Sequence, residues 1–166
     1  FGGGTDWKTS EGEDRYRRGL YTTWRRSNPY HSMAEFGAPN REVCTLRRPR
    51  TNTPLQPLVT MNDDVYVEAA QALARRMAQA EGDASDKARH GFHLCLSREP
   101  SERELAVFTK LYQSALDTYS TNKDIAARFA AGPLAPPPSD MDIAELAAWT
   151  IVGTTLLNLD EMFLKR

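Results

Sequence analysis

Two cysteines and three histidines are all the thiols and imidazoles that the 166 residues offer to a metal. Cys44 and Cys95 form no C-x-x-C, and neither falls in a zinc-ligand spacing with histidine. The two thiols can pair only in an oxidising compartment and only if the fold brings them close. Cys95 falls on the apolar face of an expected helix, where a buried free thiol is the default. Long hydrophobic runs are also missing. The longest uncharged apolar run, Leu146 to Leu159, is too short to span a bilayer and suits a buried core helix. No P-loop, no G-x-G-x-x-G and no paired-carboxylate signature occurs, and the opening FGGG is too short for a phosphate cradle. That opening also lacks a charged start followed by an apolar run, so no signal peptide is expected and the chain reads as a domain cut from a longer protein. A net charge of -1 argues against nucleic acid as a partner.

What is present is ordinary globular composition, 40% hydrophobic and 26% charged, in a length able to bury a core without metals or disulfides. The charge is unevenly placed. Residues 1–60 hold ten Lys or Arg against six Asp or Glu, a balance of +4. Residues 61–166 hold eleven against sixteen, a balance of -5. Either the two parts complement each other, or the first presents an anion-binding face.

The expected class is all-α: an irregular bundle of five to seven helices, with no convincing strand and no internal repeat. We expect one domain over residues 1–166, basic and partly irregular over 1–60 and a helical bundle over 61–166. Tyr16, Leu20 and Trp24 recur at four-residue spacing and predict a first helix from Glu13, ended by Pro29. Residues 28–54 carry Pro29, Pro39, Pro49 and Pro54 and predict an ordered but irregular segment wrapped on the bundle. Pro54 to Met61 suggests a short helix. Asn62 is the expected cap of the next, with Tyr66, Leu73, Met77 and Ala80 inward and Gly82 at its end. Asp83 or Ser85 opens another through Arg98, with Ala88, Phe92 and Cys95 inward. Ser101-x-x-Glu104 is a capping box, followed by Leu105, Phe108, Tyr112, Ala115 and Tyr119 on one face. Asn122 is expected to cap a short helix to Ala131. The last helix starts at Ser139 or Asp140, runs to about Phe163 and is apolar nearly all round, which places it at the centre.

Four segments, residues 12–30, 36–63, 92–108 and 145–163, together resemble the domain of unknown function 1553 (PSD family). It is the last domain of large planctomycete-type proteins that also carry a cytochrome-c-like domain near their start. The resemblance covers nearly all of residues 7–163. It implies an exported parent protein, in the periplasm or cell envelope, of which this chain is the C-terminal portion. It also implies covalent haem c in a separate domain of that parent. No C-x-x-C-H run exists here, so no cofactor is expected in this chain. Cys95 stands where the family suggests an aliphatic residue, which favours a packing role. The family has no settled activity, so the resemblance supplies a neighbourhood and not a mechanism.

The basic residues matching the family are Arg15, Arg17, Arg18, Arg25, Arg26, Arg47, Arg48 and Arg50. As ligand-binding candidates, Arg17, Arg18, Arg47, Arg48 and Arg50 with Asn52 would hold a carboxylate, sulfate or phosphate through planar guanidinium forks. In an envelope protein that anion would belong to an acidic or sulfated polysaccharide. Alternatively they pair with Glu13, Asp14, Glu35 and Glu42 and satisfy loop carbonyls, a reading that the plentiful nearby acids favour. Of the interleaved aromatics, Tyr16 and Trp24 are expected in the core by spacing, with Tyr30 exposed. His31, alone in a loop, is the weak candidate for a general base, with no nucleophile motif beside it. His90 and His93 share one helix, but without a third ligand in register they read as a polar edge. Asp160 and Glu161 near the end of the last helix oppose its dipole, which predicts an arginine partner from the basic segment. The leading expectation is a scaffold or interaction module whose partner is the upstream domain of the same polypeptide. The alternative is part of an enzyme or binding site for anionic polysaccharide.

Overall fold

The computed structural model describes residues 8, 10, 12–25, 27–47, 51–132, 136–137 and 141–163. Among these residues there are eight α-helices and no strand, so the chain is all-α. Two compact units are present, Phe1–Val59 and Thr60–Arg166. Their division falls beside the change in charge balance at residue 60.

In the first unit, the helix expected from Glu13 does not form. Gly12–Tyr16 and Gly19–Tyr21 are short 3-10 turns, separated by Arg18 in extended geometry. Of the stripe, Tyr16 and Leu20 are each 71% exposed and Trp24 is half-buried, although Tyr16 and Trp24 were expected in the core. No described hydrophobic residue of the first unit is buried, so the stripe has no core there to join. No described residue before Gln56 is buried, and an isolated helix of this length is marginal without an apolar face to pack. Gly19 adds a local constraint, since a Cβ there would meet Met33 Cε at 2.8 Å. The one-turn helix α1 (His31–Glu35) interrupts the segment expected to be irregular. It closes on Gly37 at φ 65°, whose left-handed backbone lets Ala38 N–H reach back to Met33 O at 2.8 Å.

Helix α2 (Leu55–Asn62) follows, with Pro57 in its first turn, where a missing N–H costs nothing. In α3 (Asp64–Ala78) the cap is Asp63, whose carboxylate accepts from Val65 N–H at 3.0 Å. The expected cap, Asn62, is instead the last residue of α2. Helix α4 (Ala84–Leu96) opens on a reciprocal box between Asp83 and Asp86 and ends on Ser97 in the left-handed region, φ 54°. Helix α5 (Glu102–Thr121) opens on the predicted Ser101–Glu104 box. Helix α6 (Lys123–Ala131) has Asn122 at its N-cap, but the Asn122 amide donates to Thr118 O and so serves the end of α5.

The most apolar helix, α7 (Ile143–Leu157), starts on Asp142 and packs against α3, α4, α5 and α6. The expected starts, Ser139 and Asp140, lie outside the described residues. Trp149 is fully buried and stacks on Tyr112 with ring centroids 4.1 Å apart. Phe92 meets Phe108 edge-on at 4.9 Å. Thr150, also fully buried, donates its hydroxyl to Leu146 O at 2.8 Å, which removes the desolvation penalty. Small residues let the helices approach: a Cβ on Gly153 would sit 2.9 Å from Ala70 O on α3. Helix α7 stops at Leu157, and α8 (Asp160–Phe163) restarts after a turn at Asn158 and Leu159. Asp160 and Glu161 therefore open a new turn rather than close the old one, and the dipole conflict expected from a single helix to Phe163 does not arise.

Candidate functional site

The sequence candidates sit in the first unit. Arg17 donates through Nε to Asp14 Oδ1 at 2.7 Å, an i,i+3 pair with both side chains more than half exposed. Such a pair contributes little to stability. Arg18 precedes the second 3-10 turn and is exposed. His31 begins α1 and is exposed, as are Arg47 and Asn52. Arg48 and Arg50 lie outside the described residues, as does Arg26. Of the acids expected to hold the arginines, Glu42 forms a local turn with Asn40, whose amide reaches it at 3.2 Å. Arg41, not singled out by sequence, adopts φ 63° and lays its guanidinium 5.7 Å from the centre of the Trp24 ring. The Gln56 amide donates to Glu35 O at 2.8 Å and to Thr51 Oγ1 at 2.9 Å, tying the start of α2 to the end of α1.

The best-organised charged group lies in the second unit and was missed. Arg98 occupies the tight turn between α4 and α5. It forks onto Glu104, with Nη2 at 2.6 Å and Nη1 at 3.1 Å from the two carboxylate oxygens. It also grips Glu161 of α8 through Nε at 2.8 Å and Nη2 at 3.1 Å. Its guanidinium lies 5.6 Å from the Phe92 ring centre. Four charge-assisted bonds from one side chain hold three helices together. Hydrogen bonds from Arg98, then from Ser101, hold the Glu104 carboxyl down at about 2. The same carboxylates push the Arg98 guanidinium still further up. Glu161 thus has an arginine partner at the α4–α5 turn, outside the basic segment. Arg98 sits between a left-handed C-cap and a capping box; that position in a short interhelical turn was the only sequence signal available.

A second cluster surrounds Trp149. Glu145 Oε1 accepts from Lys87 Nζ at 3.0 Å and from Trp149 Nε1 at 3.3 Å. Burial, with Glu145 and Asp142 adding to it, pushes the Tyr112 hydroxyl up to about 12. Both clusters satisfy charges inside the bundle; neither pairs a nucleophile with a base.

Burial pushes the Cys95 thiol up to about 11, with Arg76 opposing weakly. At neutral pH it is a packed thiol and not a nucleophile. Cys44 is exposed, and both cysteines are free. His90 and His93 are exposed on α4. Among the described residues, no group of three or more His, Cys, Asp or Glu is placed to hold a metal ion. No helix among them is long and apolar enough to cross a membrane.

Compared with known families, the chain matches the family model PSD1, described as protein of unknown function (DUF1553), over residues 3–112. That span takes in the exposed first unit, the Arg98 turn and Glu104, and ends within α5. No curated protein and no solved structure matches the chain.

Proposed function

The chain belongs to the PSD1 family of proteins of unknown function, and from that premise we propose that it is the helical interaction module of a larger exported protein. The parent is a haem-c-linked multidomain protein of the periplasm or cell envelope, with its haem in a separate domain and no cofactor in this chain. Residues 12–47 present the docking face, and the upstream domain of the same polypeptide is what they meet. One observation supports this reading. Tyr16, Leu20, Tyr21, Val43 and Leu46 are each 63% exposed or more, in a stretch none of whose described residues is buried. An ordered segment with no core of its own must offset its ordering entropy against another surface.

Hydrogen exchange tests it. Amides of residues 12–47 should exchange on the order of 100-fold more slowly in the longer parent protein than in this chain alone. Equal rates in the two would sink the reading.

A second reading has its own support. Arg18 and Arg47 have no acidic partner among the described residues, and Asn52 and His31 are exposed near them in sequence. These side chains suit an acidic or sulfated polysaccharide. Titration of the chain with sulfated and uronic-acid glycans at two salt concentrations should then show salt-sensitive binding, weakened in a double variant Arg18→Ala, Arg47→Ala. No salt-sensitive binding to either glycan class removes this reading.

A further inference from the structure

Arg41 is held in place without being neutralised. Its guanidinium lies 5.7 Å from the centre of the Trp24 ring, and among the described residues no ion pair or side-chain hydrogen bond engages it. The acid next to it in sequence is turned elsewhere. Glu42 Oε2 accepts from Asn40 Nδ2 at 3.2 Å, and Glu42 N–H donates to Asn40 Oδ1 at 3.1 Å. Arg41 itself stands at φ 63°, in the left-handed region that favours glycine, yet its side chain is exposed and fills no core. An arginine kept in a costly backbone conformation with no gain in packing directs attention to what its side chain does. A cation over an aromatic ring gives up rotamer freedom there, while its N–H donors stay available to a further partner.

We propose that Arg41 is the anchor of an oxyanion site in the first unit, positioned by Trp24 and taking the sulfate or carboxylate group of a sugar. The inference rests on the anionic-polysaccharide reading above and names the residue that carries it. The chemistry follows from the side chain. A guanidinium fork matches a pair of oxygens on either group, which an ammonium does not. Because Trp24 orders the side chain in advance, Arg41 loses less freedom on binding than an exposed arginine with no such support. Exposed Arg18 and Arg47 belong to the same unit and add to the attraction for an anion.

Titration calorimetry of the 166-residue chain with dextran sulfate, oligogalacturonate and unmodified dextran, each at two salt concentrations, is the test. The wild type should bind a charged probe and not dextran, and the charged probe it prefers tells sulfate from carboxylate. Arg41→Gly removes the guanidinium and suits φ 63° better than arginine does, so it leaves the backbone unstrained. It should weaken binding about tenfold with unchanged circular dichroism. Arg41→Lys keeps the charge without the fork and should recover less than half of that loss. Trp24→Leu should weaken binding about threefold but leave its salt dependence as in the wild type, because no charge is removed. Arg103→Ala, which deletes an exposed arginine of α5 in the second unit, should change nothing. Wild-type affinity in Arg41→Gly or Arg41→Lys, an equal loss in Arg103→Ala, or equal binding of unmodified dextran overturns the Arg41 site. The first three of these leave the polysaccharide reading standing, whereas no binding of either charged probe overturns both.

Discussion

Trp149→Ala should cost the chain about 4 kcal/mol, the largest loss available from one side chain. Three effects coincide at that position. The indole is fully buried, so truncation leaves a cavity lined by α3, α4, α5 and α6, the helices packed on α7. Its stacking on Tyr112, at 4.1 Å and 24° between planes, disappears. Glu145 also loses the indole donor and is left with Lys87 alone on the same oxygen. Trp149→Phe separates these terms. It restores most of the volume and the ring contact but not the N–H, so about 1–2 kcal/mol should be lost. Urea unfolding of the three proteins gives the comparison, provided the slopes agree. A loss below about 1 kcal/mol for Trp149→Ala would mean that α7 is not the centre of the bundle.

That α7 is central was legible, because a helix apolar on every face has nowhere else to go. The starts of α4 and α5 were legible for a different reason. Asp83 and Ser101 act within three residues of themselves, so sequence spacing contains the whole interaction. The same logic failed at residues 13–26. Tyr16, Leu20 and Trp24 have helical spacing, but spacing states only which side chains could share a face. Whether a face exists to receive them depends on residues elsewhere, and in the described part of the first unit only Gln56 is buried. Helix α2 was legible as a short helix but not in its orientation: the buried pair, Gln56 and Thr60, is held by Glu35, Thr51 and Asn158, the last 98 residues from Thr60. The candidate arginines were chosen for their number. Arg98, which bonds two carboxylates, stands outside that run, and its partners are 6 and 63 residues distant.

Replacing Arg98 should be the second most damaging change, and it carries a pH signature that a cavity lacks. Arg98→Ala removes both bonds to Glu104 and both to Glu161, which unpins α8 from the α4–α5 turn. About a third of each of the Arg98 and Glu104 side chains remains in water, as does 40% of Glu161. Solvent screening therefore holds the loss near 2 kcal/mol, below the roughly 3–5 kcal/mol of a fully buried pair. Arg98→Lys should recover less than half of that, since an ammonium offers no fork to span two carboxylates. The pH dependence follows from Glu104. Its carboxyl is depressed from about 4.5 to about 2 in the folded chain. Its stabilisation is therefore complete above pH 4.5 and is lost as pH falls towards 2. Thermal melts between pH 5 and 2.5 should show the wild type losing stability more steeply than Arg98→Ala or Glu104→Gln. In Glu104→Gln the carboxyl is gone, and in Arg98→Ala it loses the largest cause of its depression and keeps only the Ser101 hydrogen bonds. Parallel curves for all three proteins would show that the Arg98–Glu104 fork does not form in solution, and α8 would then need another anchor.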